Sequence, residues 1–143
     1  MKNITPLAKY AVLGLIIAGL GLAFSGYFDK DTKGLIVDVS VPELSSVAAR
    51  GKVEFDANCA QCHGKNAAGT GKGPPLIHNV YNPGHHSDQA FLLAAKRGVR
   101  QHHWPYGKMP AQPQVSGAQI TAIVKYVREL QVANGITFKP HRM

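Results

Sequence analysis

The pentapeptide Cys59-Ala60-Gln61-Cys62-His63 constrains this chain more than any other feature. Two cysteines three positions apart, followed directly by a histidine, have the spacing of covalent haem attachment. One helical turn puts both thiols on the same side, where each can add to a haem vinyl group, and His63 then lies over the iron. Two other chemistries share the cysteine spacing. A redox dithiol needs a βαβ context, and no such pattern surrounds the motif. A zinc site needs four ligands; no second CxxC is present, although seven histidines keep a mixed set open.

A motif this short needs an independent partner. The chain has three methionines, and only Met109 lies inside the globular part beyond the motif. It sits in Gly107-Lys108-Met109-Pro110, where the proline fixes φ and stiffens the loop that carries the thioether. Met109 is therefore the candidate sixth iron ligand, with a packed core methionine as the competing reading. His/Met ligation raises haem potential and suits electron transfer. Trp104 and Tyr106 precede it; an indole or phenol donor there would hydrogen-bond a haem propionate or wall the crevice against water.

Helix signals predict an all-α domain. Ser45 or Ser46 caps a first helix running towards Asn58, with Val47 and Phe55 on its inner side. Ser87 opens a second helix that Gly98 stops. Ser116 and Gln119 form a capping-box pattern before Ile120, Ile123, Val124, Val127 and Leu130, and Gly135 ends that last helix.

The N-terminal region reads differently. From Tyr10 to Phe28 no residue is charged, and as a helix this run of 19 residues spans about 28 Å, close to a bilayer's hydrocarbon thickness. Lys2 and Lys9 precede it and hold the N-terminus in the cytoplasm, which sends the rest outside. Ala23-Phe24-Ser25 is a weak cleavage site, so a retained anchor is the preferred reading. The expected organisation is a single transmembrane helix within residues 1–28, a linker over 29–46 and one domain over 47–143. The β-branched run from Leu35 to Val41 is too apolar for a free tether and is expected to lie extended against the domain or a partner. A separate catalytic domain does not fit into the roughly 95 residues that remain.

From Gly51 to about Val132 the chain resembles a class I cytochrome c. Gly51-Lys52-Val53-Glu54-Phe55 resembles the first helix of that family, leading into the cysteine motif, and Gly73-Pro74-Pro75-Leu76 resembles its GPxL loop. The resemblance implies a small cytochrome c fold around one covalent haem c. It also implies that the Pro74 carbonyl accepts the Nδ1 proton of His63 and that Leu76 packs on the haem face. The first and last helices would cross at Gly51, with Phe55 and Tyr126 stacked beside it.

The histidines depart from that pattern. His85-His86 and His102-His103 are adjacent pairs, with His78 near the first. Neighbours on a loop point in different directions, so each pair is expected to offer only one imidazole to a common site. Solvated or propionate-facing rings are the simple reading; a peripheral copper or zinc site, or competition with Met109 for iron, is the other.

Charge describes the partner. Lys and Arg number 16 against 8 Asp and Glu, and residues 1–48 hold four of each sign, so the +8 excess belongs to the domain. Lys65, Lys72, Lys96, Arg97, Arg100 and Lys108 flank the haem motif and the Met109 loop, and such a field steers association with acidic redox proteins. No nucleic-acid-binding motif accompanies the charge. The expected function is electron transfer in a bacterial respiratory chain, as a carrier or as the cytochrome c subunit of an oxidoreductase complex, without a small-molecule substrate or catalytic residue. The expected location is the cytoplasmic membrane with the haem domain on the periplasmic side. The alternative is a haem protein with an open or displaceable iron site: a peroxidase, gas sensor or ligand-binding module.

Overall fold

Serine caps and glycine stops divide the chain into helices where the sequence signals them. The computed structural model describes residues 35–140, together with Tyr10 and Gly14. Contacts separate two units, Met1–Thr32 and Lys33–Met143. In the first, Tyr10 and Gly14 have helical backbone. The apolar run read as a membrane span otherwise lies outside the described residues. Among those residues no helix is long and apolar enough to cross a membrane.

The second unit holds four α-helices: α1 (Ser46–Asn58), α2 (Ala60–His63), α3 (Asp88–Arg97) and α4 (Gly117–Ala133). Short 3-10 turns occupy Lys65–Ala67 and Asn79–Tyr81, and no strand occurs among the described residues beyond an isolated Val99 to Met109 bridge. Ser45 caps α1 by accepting the Ala48 N–H, while the Glu129 carboxylate accepts both the Ser45 N–H (3.0 Å) and hydroxyl (2.7 Å). α4 starts with both bonds of its capping box, Gln119 N–H to Ser116 Oγ and Ser116 N–H to Gln119 Oε1. It ends in a Schellman motif: Gly135, at φ +74°, donates to the Val132 carbonyl and Ile136 donates to that of Gln131.

α1 and α4 make the main helix crossing. The apolar stripe of α4 expected from its sequence is buried in full, and Tyr126 and Gln131 join it. α1 turns Ala48, Gly51 and Phe55 inward, whereas Val47, expected on that face, is exposed. The 100° step between neighbours carries Val47 off a stripe set by positions 48, 51 and 55. At Gly51 a Cβ would lie 1.9 Å from the Ala122 carbonyl oxygen, so only glycine lets the helices approach this closely. Phe55 and Tyr126 meet edge to face beside it, centroids 5.6 Å apart.

Arg128 ties α4 to the rest of the unit. Its guanidinium donates to Asp88 on α3, to the Tyr81 and His86 carbonyls and to Gln131 Oε1, and it lies over the Phe91 ring. Buried Gln131 donates in turn to the Leu76 and Tyr81 carbonyls. Residues 35–44 run along this unit with Val37, Val39 and Leu44 packed on the core. Val37 N–H donates to the Ala68 carbonyl, the Asn134 amide exchanges two hydrogen bonds with Ser40, and Leu35 N–H donates to the Tyr106 hydroxyl.

Candidate functional site

Both cysteines sit on the turn that ends at His63. Cys59 is the N-cap of α2, and Cys62 and His63 are its last two residues. Gly64, at φ +77°, then reverses the chain, Gly69 N–H donates to the His63 carbonyl at 2.6 Å, and the Thr70 hydroxyl donates to that of Cys62. Asn66 and Ala67 both take left-handed backbone, φ 55° and 60°. The Tyr126 hydroxyl donates to Asn66 Oδ1 at 3.1 Å, so α4 holds this strained pair in place.

The loop brings Pro74 back to the histidine. His63 Nδ1 lies 2.9 Å from the Pro74 carbonyl oxygen. A carbonyl only accepts, so Nδ1 carries the proton and Nε2 keeps its lone pair. Burial holds the imidazole below its usual pKa, outweighing the Pro74 bond, which acts the other way. His63 is therefore a neutral, oriented nitrogen donor.

Met109 is set by backbone pairing. Val99 N–H donates to the Met109 carbonyl at 3.0 Å, and Met109 N–H donates to that of Val99 at 2.9 Å. Gly98 ends α3 at φ +73°, and a Cβ there would come within 2.6 Å of the Met109 carbonyl oxygen. The same glycine thus stops a helix and lets the methionine strand approach. Sequence reading identified only the first of these roles, because the second depends on a segment eleven residues away.

Cys59, His63, Pro74, Leu76, Trp104 and Met109 line one cavity of about 320 Å³; Cys62 does not border it. Phe55, Phe91, Val115 and Ile123 are among the apolar residues that complete its wall. Burial, then the neighbouring Cys62, pushes the Cys59 thiol up to about 11. Redox dithiols depend on lowered thiol pKa values, so this environment argues against that chemistry. Among the described residues, the group of three side chains arranged to hold a metal ion contains neither cysteine.

Trp104 supplies a further test of fit. Its Nε1 is buried and makes no hydrogen bond. Burial pushes the adjacent Tyr81 phenol up to about 12, and the indole N–H opposes that rise without reaching hydrogen-bond geometry. An unpartnered buried donor costs about 1–3 kcal/mol, which an anionic group in the cavity would offset. The Tyr106 hydroxyl accepts the Leu35 N–H, and the residue also borders the cavity. The protonated Cys59 thiol, a lone-pair imidazole, a thioether and an orphaned donor around an apolar cavity suit a covalently attached haem.

The histidine pairs behave differently from the expectation of one imidazole each. His85 and His86 both turn towards His103, and a ring nitrogen from each of the three falls within 4.8 Å of the others. The turn over 82–86 is tight enough to hold two adjacent rings on one side: His85 and His86 N–H groups both donate to the Asn82 carbonyl.

Known proteins agree with this chemistry. The Cbb3-type cytochrome c oxidase subunit CcoP of Rhodobacter capsulatus is 34% identical over 88 residues, 58% of this chain and 29% of that protein. The chain thus spans less than a third of the length of that relative. The sequence profile described as cytochrome c matches residues 48–131, more than half of the chain and the whole helical scaffold from α1 to the end of the α4 core stripe. On that match the chain belongs to the cytochrome c family, and its cofactor is a covalently attached, iron-bearing haem c.

Proposed function

We propose that this protein transfers single electrons through a haem held by Cys59 and Cys62 and ligated by His63 and Met109. The observation that carries the reading is the convergence of His63 and Met109 on the apolar cavity bordered by Cys59. When bound, the haem iron supplies a one-electron couple. The Pro74 carbonyl keeps the proton on His63 Nδ1 and so presents Nε2 to the iron. The Met109 thioether favours the reduced state and a high potential. Trp104 Nε1 would be placed to donate to an anionic group of the haem, and Leu76 would help keep water from it. No residue in this scheme abstracts a proton or binds an organic substrate, consistent with a non-catalytic carrier or subunit.

The likeness to an oxidase subunit supports service to an oxidoreductase complex, as a fixed subunit or a carrier. The uncharged run from Tyr10 to Phe28 supports a single-pass anchor in the bacterial cytoplasmic membrane, with the haem domain on the periplasmic side. Exposed Lys65, Lys72, Arg97, Arg100 and Lys108 support docking to acidic redox proteins.

Optical spectroscopy of the haem-loaded, membrane-extracted protein tests the ligand set. A low-spin spectrum with the methionine-to-iron charge-transfer band is expected, and Met109→Ala should abolish the band and lower the potential. A high-spin ferric spectrum in the unmodified protein would remove Met109 as ligand and favour an open iron site.

A further inference from the structure

Three of the seven histidines gather at a wall shared by two cavities. His86 and His103 border the haem cavity, and His85 and His103 border a second one beside Asn79 and Lys139. His85 Nε2 and His103 Nε2 are 3.1 Å apart. Zinc–imidazole bonds of about 2.0–2.1 Å in tetrahedral geometry put neighbouring ligand nitrogens about 3.3 Å apart. The pair already stands near ligand spacing, and His86 brings the third nitrogen within 4.8 Å of both.

The surroundings orient these rings. His86 Nδ1 donates to the Val80 carbonyl at 2.7 Å, which leaves the lone pair on Nε2. The turn carrying His85 and His86 is fixed by buried Asn82, whose side chain donates to the Asn79 carbonyl and accepts the Gly84 N–H. His103 is exposed, and its ring already meets that of His85 through Nε2. Among the described residues no carboxylate joins the group, which disfavours calcium and magnesium, whereas imidazole nitrogens suit zinc, copper and nickel.

We propose that His85, His86 and His103 form a second metal site, separate from the haem iron, which takes one divalent late transition ion through three imidazole nitrogens and leaves a fourth position open. The site does not depend on the roles of His63 or Met109.

The test uses the full haem-loaded protein, stripped with chelator and dialysed against zinc ions, with metal counted per haem. Copper(II) in place of zinc adds a paramagnetic readout of bound nitrogen. One ion per haem is expected, with nitrogen hyperfine structure from imidazole. His103→Ala should weaken binding at least tenfold, His85→Ala should weaken it with the haem spectrum unchanged, and the two together should abolish it. No stoichiometric uptake by the haem-loaded protein, or uptake unchanged in His103→Ala, overturns the proposal. The exposed position of His103 makes that single variant decisive even where the double variant fails to fold.

Discussion

At Gly51 one methyl group separates a helix crossing from a clash. The added Cβ would meet the Ala122 carbonyl at 1.9 Å, and a backbone atom inside α4 cannot swing aside as a side chain would. Gly51→Ala should therefore destabilise the domain by about 3 kcal/mol, at the upper end of ordinary overpacking. Denaturant unfolding of the haem-loaded protein measures it, and a loss under about 0.5 kcal/mol would show that the crossing yields. Gly98 works by the same principle at the site, where its missing Cβ admits the Met109 carbonyl. The family resemblance anticipated the crossing at Gly51, whereas the approach at Gly98 is defined by the segment packed against it and is not visible from the glycine alone. By contrast, the placing of Cys59, Cys62 and His63 on one turn was legible in five consecutive letters, because backbone geometry fixes their spacing.

The helix ends follow local rules closely enough to predict their energetics. Ser116 and Gln119 satisfy each other's backbone N–H groups at the start of α4, so Ser116→Ala should cost about 1 kcal/mol of stability. Thermal unfolding, compared with an exposed mid-helix control such as Thr121→Ala, reads this loss. The start of α1 adds a pH dependence. Hydrogen bonding from the Ser45 hydroxyl, ahead of the Ser45 N–H and Lys125, holds the Glu129 carboxyl below its ordinary 4.5. In the window between the folded and unfolded values, the unfolded chain binds the proton and the folded one does not. The Glu129 contribution is thus complete above about 4.5 and fades as pH falls through the folded value. Glu129→Gln should narrow its stability gap to the unmodified protein below that pH, and parallel stability curves would refute the assignment. Capping was legible because it spans three or four residues; the reach of Glu129 to Ser45, 84 positions away, was not.

For the whole molecule, the +8 charge of the chain is the property a partner meets first. Electron exchange with an acidic redox protein should slow at least tenfold as ionic strength rises from about 0.01 M to 0.15 M, because the screening length shrinks from about 30 Å to 8 Å. Stopped-flow rates against a neutral partner supply the comparison, and equal salt sensitivity for both would place the docking surface elsewhere. The sequence by itself determined the helix ends, the apolar stripe of α4, the cysteine motif and the methionine, since each is written in neighbouring residues and needs only backbone geometry to be read. Only the tertiary structure decided that Val47 turns outward from α1, why Arg128 is needed, and that His85 and His86 meet His103, which follows His85 by 18 positions. The physical reason is range: hydrogen-bonded turns are settled within a few residues, whereas a crossing, a guanidinium hub or an imidazole cluster exists only once distant segments are packed together.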